Sequence, residues 1–145
     1  MNNDLENLTV NICLTHEKND NKAFFSKIQL CIIDCIKLLS EELVQPYERI
    51  IIDQAENYWL EDNECISEVF KTLRIIVGLN RVAEEGISEK RINVLDVING
   101  ILLPYENYEP NKREERTEAI DYYIFYLLNA GISEEDLIVK LKKHF

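Results

Sequence analysis

The stretch Phe24–Leu39, FFSKIQLCIIDCIKLL, constrains the fold more than any other part of this chain, because eleven of its sixteen residues are apolar. At ~100° per residue, Phe24, Phe25, Ile28, Cys31, Ile32, Cys35, Ile36, Leu38 and Leu39 fill one wide arc, and Ser26, Lys27, Gln29, Asp34 and Lys37 fill the other. Leu30 and Ile33 interrupt the polar arc. A helix lying on a surface has no use for large aliphatics there. The pattern therefore predicts a helix covered on more than one side, the central element of an all-α fold. With 145 residues, 46% hydrophobic and 30% charged, the chain has the length and composition of one globular domain rather than of a disordered segment. The expectation is a single compact helical domain over residues 1–145, with six to seven helices packed around Phe24–Leu39.

The flanking segments supply the other helices. Leu5, Leu8, Ile12 and Cys13 form a stripe on a short helix from Asp4 to about Lys18, and Asp20 or Asn21 suits the N-cap of the central helix. That helix has the composition to continue through Leu43 until Pro46 ends it. Pro46 also suits the first turn of the next helix, Tyr47 to Leu60, in which Ile51, Ile52, Ala55, Tyr58 and Trp59 share the core face. Asp53, Glu56, Asn57 and Glu61 take the wet face. A helix from about Glu64 to Glu84 follows, with Val69, Phe70, Leu73, Ile76, Val77 and Asn80 as its predicted inner stripe. Gly-Ile-Ser-Glu occurs twice, at Gly86–Glu89 and Gly131–Glu134. In each copy Gly suits a left-handed helix end and Ser the next N-cap, which predicts helices from Ser88 to Leu103 and from Glu134 to His144. Between them, Pro104–Asn111 reads as a loop, and Lys112–Asn129 as a helix burying Ile120, Tyr123, Ile124, Leu127 and Leu128.

Reactive chemistry finds little support in the residues. The only histidines, His16 and His144, adjoin no Ser or Cys. Of the four cysteines, Cys31 and Cys35 lie four apart inside an Ile-rich arc, which reads as buried reduced thiols rather than half a zinc site. The four glycines form no phosphate-binding loop, Glu61–Glu64 lacks the glycine and distal acid of a calcium loop, and Glu-x-x-His is absent. No catalytic residue, metal or cofactor is assigned, and the chain is expected not to be an enzyme. No apolar run approaches the ~20 residues of a membrane span, and MNNDLENLTVN lacks the basic start and apolar centre of a signal peptide. These features predict a cytoplasmic protein.

The charge distribution is the informative remainder. The net charge is −11, which disfavours nucleic acid and anionic membranes as partners, because phosphate recognition rests on Lys and Arg. Nine acids between Glu41 and Glu68 stand against Arg49 alone. Asp53, Glu56, Glu61, Asp62 and Glu64 are the candidate contacts for a basic protein, which such a surface attracts and selects. Tyr105 and Tyr108 form a second candidate surface, since loop tyrosines serve as recognition anchors.

An N-terminal LENLTVNICLTHEK helix, then KIQLCIIDCIKLL, then an acid-rich segment containing Trp59 resembles the helical immunity proteins of bacterial polymorphic-toxin and contact-dependent inhibition systems. The resemblance covers the first half of the chain and rests on pattern rather than on an invariant motif. It implies a non-enzymatic inhibitor that binds one cognate toxin domain, often a basic nuclease, and blocks its active site or substrate groove. Two other classes stay open: a helical adaptor that binds a peptide or its own copy, and an enzyme whose carboxylates hold a metal.

Overall fold

The computed structural model describes residues 3–16, 22–61, 67–103 and 113–145. These residues form seven α-helices and no strand: α1 (Asn3–His16), α2 (Lys22–Ile36), α3 (Pro46–Glu61), α4 (Ser67–Ala83), α5 (Glu89–Ile101), α6 (Arg113–Asn129) and α7 (Glu134–His144). The fold is all-α, and α2 is its centre, packed against α3, α5, α6 and α7. Contact from several sides explains the aliphatics in its polar arc, since Ile33 is fully buried and Leu30 packs at the edge of the core. Gln29, on the arc expected to be wet, is also fully buried. Its amide donates to the Gly100 carbonyl of α5 and accepts from the Tyr123 hydroxyl of α6, so its polar atoms are satisfied where three helices meet.

The central helix is shorter than the sequence predicts. It ends at Ile36, where Leu38 N–H and Leu39 N–H bond three residues back to the Cys35 and Ile36 carbonyls. A turn then closes through Leu43 and Val44 N–H to the Ser40 carbonyl. Leu38, expected in the core arc, is consequently exposed. Two arginines take up the carbonyls that the early ending releases, Arg49 at Leu39 and Arg91 at Leu43.

α3 begins as predicted, with Pro46 in its first position. Glu48, three residues after Gln45, reaches back to the Gln45 N–H at 2.8 Å, half of a capping box. Ile51, Ile52, Ala55, Tyr58 and Trp59 are all buried. The Trp59 ring lies edge-on to Phe25 at 5.4 Å between centroids, and its indole N–H donates to the Ile101 carbonyl at 2.9 Å. The two Gly-Ile-Ser-Glu corners form as expected. Gly86 and Gly131 adopt φ of 64° and 102°, and Ser88 and Ser133 cap α5 and α7 through the Arg91 and Asp136 N–H groups. The N-cap expected at Asp20 or Asn21 lies outside the described residues.

α4 departs most from expectation. Phe70 and Val77 are buried and Leu73 is half-buried, but Val69, Ile76 and Asn80 of the predicted inner stripe are exposed. Its inner side is instead completed by two arginines, Arg74 donating to the Leu102 carbonyl at 2.6 Å and Arg81 to Asp96 at 2.9 Å.

Candidate functional site

The outer side of α3 carries the candidate acidic surface. Asp53, Asn57 and Glu61 recur every fourth residue on the side opposite Ile52, Ala55 and Trp59, and all three are exposed. Asp53 and Glu61 are ~12 Å apart along the helix, comparable to the distance over which physiological salt screens charge. They are two separate charges rather than one dense cluster. Glu56 lies toward α2, where its carboxylate takes a 2.6 Å ion pair from Lys37, with side-chain exposures of 26% and 40%. Its charge is partly answered within the chain. Glu41 and Glu42, in the turn before α3, and Glu68, in the first turn of α4, are exposed.

Two further candidates, Asp62 and Glu64, lie outside the described residues, as do Tyr105 and Tyr108. Of the aromatic residues following that loop, Tyr123 is buried while Tyr122 and Phe125 are exposed on α6.

The surface includes residues that the charge pattern did not single out. Ile50 and Leu60 are 62% and 64% exposed and flank Asp53 and Asn57. An acidic face with two aliphatic anchors has the make-up of a contact surface, in which charge selects the partner and apolar burial retains it. The signal was present in the wheel, since Ile50 and Leu60 fall outside the core arc that Ile51, Ile52, Ala55, Tyr58 and Trp59 define.

Glu48 belongs to the interior rather than to this surface. Its carboxylate accepts from both terminal nitrogens of Arg91, at 2.5 and 2.7 Å, and the two side chains are 0% and 3% exposed. Glu84 accepts from Arg91 Nε at 3.2 Å. Burial alone lowers the guanidinium's hold on its proton, but the Glu48 and Glu84 carboxylates outweigh it and push the Arg91 pKa above its ordinary value. This network ties α3, α5, the end of α4 and the Leu43 turn together.

Cys31, Cys35 and His144 are engaged in packing and ion contacts. Cys31 and Cys35 sit together in the core, where hydrogen bonding to Cys35 and burial push the Cys31 thiol well above its ordinary value. A thiol held that way is a poor nucleophile. His144 Nε2 lies 2.7 Å from Asp34, and Lys143 donates to the same oxygen at 2.9 Å. Burial raises the Asp34 carboxyl, but the bonds from Lys143 and His144 prevail and hold it below the usual carboxylate range. The contact fastens α7 to α2. Among the described residues no three His, Cys, Asp or Glu side chains converge as metal ligands, and no helix is long and apolar enough to cross a membrane. A shallow groove of about 340 Å³ between α1 and α7 is lined by Leu8, Asn11, Ile12, Thr15, Leu141 and Phe145 together with Lys142. No protein-family model, curated protein or solved structure matches this chain.

Proposed function

We propose that this chain is a non-enzymatic inhibitor of the immunity-protein kind, acting in the cytoplasm, which binds and neutralises a basic toxin domain through the outer face of α3. The observation that carries the reading is the exposure of Asp53 and Glu61 beside Ile50 and Leu60 on one helix face. Neither carboxylate has an ion pair or hydrogen bond to another described residue, which leaves a basic surface something to pair with, and the adjacent aliphatics add burial that salt does not screen. Blocking a toxin requires no chemistry from the inhibitor, only occupancy of the surface that its substrate needs.

The test is capture from an extract of the native host on immobilised chain, in parallel with Asp53→Lys/Glu61→Lys. The wild type is expected to retain a basic protein that the reversed variant does not, with both showing the same far-UV circular dichroism. Equal retention by the two would remove the site from α3. A helical adaptor that binds its own copy is the second reading, favoured by the apolar outer side of α4.

A further inference from the structure

Val69, Ile75, Ile76, Leu79 and Val82 of α4 are all exposed, Leu79 at 66% and Val82 at 87%. With Thr72 and Ala83 they make an apolar strip ~22 Å long. The strip is not a helix turned the wrong way. Phe70 and Val77 are fully buried on the opposite side, and Arg74 and Arg81 are committed to the Leu102 carbonyl and Asp96. Rotation to hide the strip would break all four. Isolated exposed aliphatics are ordinary, but a contiguous strip of this size on a folded chain marks an interaction surface.

Charge narrows the occupant. Residues 67–85 carry three bases, Lys71, Arg74 and Arg81, and three acids, Glu68, Glu84 and Glu85. The segment is neutral in a chain of net charge −11. A basic protein gains nothing here and is drawn to α3 instead. Two copies of the chain repel through their acidic surfaces, and this neutral strip lets them approach at least cost.

We infer that the outer side of α4 is a self-association surface, on which α4 of a second copy packs antiparallel about a two-fold axis near Val77 and Gly78. This arrangement sets Ile75 against Leu79 of the second copy and Thr72 against its Val82. In the same register Lys71, at one end of the strip, comes within ~3 Å of the level of Glu85 of the second copy at the other, a gap their long side chains span, twice by symmetry. A parallel pairing would set Lys71 against Lys71. Two such strips in contact remove on the order of 1,000 Å² in total, the lower end of specific interfaces, so the pairing is reversible and concentration-dependent. The inference is independent of the acidic site on α3 and stands or falls separately from it.

Sedimentation equilibrium of the purified full chain, from micromolar to near-millimolar concentration, tests it. The weight-average mass is expected to rise from 17.1 kDa toward twice that value. Leu79→Asp/Val82→Asp should hold it at the monomer mass with unchanged helical circular dichroism. Lys71→Glu and Glu85→Lys, each alone, should weaken association several-fold, and the two together should restore it. A wild type that stays monomeric throughout would overturn the inference and leave the strip to a different protein. Association that survives Leu79→Asp/Val82→Asp would place it on another surface. Charge variants without effect, or a double swap that fails to restore pairing, would overturn the antiparallel arrangement.

Discussion

Arg91→Met removes the guanidinium but keeps an unbranched apolar stem, so it isolates the contribution of the buried charge pair. In the native fold Arg91 makes two bonds to Glu48, two to Glu84 and one to the Leu43 carbonyl. Glu48 is left with the Gln45 N–H at 2.8 Å and the Tyr47 hydroxyl at 3.2 Å. Breaking a buried pair from one side strands a desolvated charge, at a cost of about 3–5 kcal/mol. That is a large share of the ~5–15 kcal/mol by which domains are stable. Replacing Glu48 by Gln as well removes the stranded charge and keeps an acceptor for the Gln45 N–H. The double variant should then lose only hydrogen bonds, at ~1 kcal/mol each. Urea unfolding followed by far-UV circular dichroism of both single variants and the double reads the coupling directly, with unchanged m-values showing that the unfolded state is comparable. The reasoning is refuted if Arg91→Met costs under about 1 kcal/mol, or if the double variant costs the sum of the singles, since a stranded charge relieved by its partner's removal cannot be additive.

Four further expectations concern packing and ion contacts. Gly100→Ala places a Cβ 2.6 Å from the Tyr123 ring, which is tethered through its hydroxyl to Gln29, and should cost ~1–3 kcal/mol. Gly78→Ala meets nothing within 4 Å and should stabilise the monomer by up to ~1 kcal/mol; the same thermal melts check both, and equal signs would contradict the packing at Gly100. Trp59→Ala opens a cavity beside Phe25 and leaves the Ile101 carbonyl without its indole donor, for an expected loss of ~3–5 kcal/mol in urea unfolding. Asp34 is held below the usual carboxylate range, so its ion contacts stabilise the fold above the unfolded value of ~3.9 and fade as pH falls through the lower folded value. Wild type should therefore exceed Asp34→Asn in melting temperature at neutral pH, with the gap closing in acid; a gap independent of pH would rule out the ion contacts as its cause.

Local chemistry made much of the architecture legible. The two Gly-Ile-Ser-Glu corners carry their own conformational instructions, and Pro46 marks the first turn of α3. The apolar arc of Phe24–Leu39 identifies the central helix because Leu30 and Ile33 break any one-sided pattern. Tertiary contacts decided what remained hidden. Nothing between Ile36 and Gln45 announces the end of α2; the free carbonyls there are held by Arg49 and Arg91, the latter from 48 residues away. Apolar residues surround so much of α4 that its helical wheel has no unique phase, and the inward side is marked by Arg74 and Arg81, which a hydrophobicity pattern places outside. In the sequence Glu48 is simply one of the nine acids between Glu41 and Glu68, because the partner that buries it is 43 residues distant. The exposed character of Asp53 and Glu61 could be read from the sequence, since their neighbours fix the face; the exposed Ile50 and Leu60 needed only closer reading of the same wheel.

The most direct measurement of the proposed function is the rate of association between this chain and its captured basic partner as ionic strength is raised. An acidic α3 face that steers and selects the partner predicts an association rate that falls steeply with salt, a dissociation rate that changes little, and loss of the salt dependence in Asp53→Lys/Glu61→Lys. An association rate indifferent to salt, or unaltered by reversing those two charges, would contradict it.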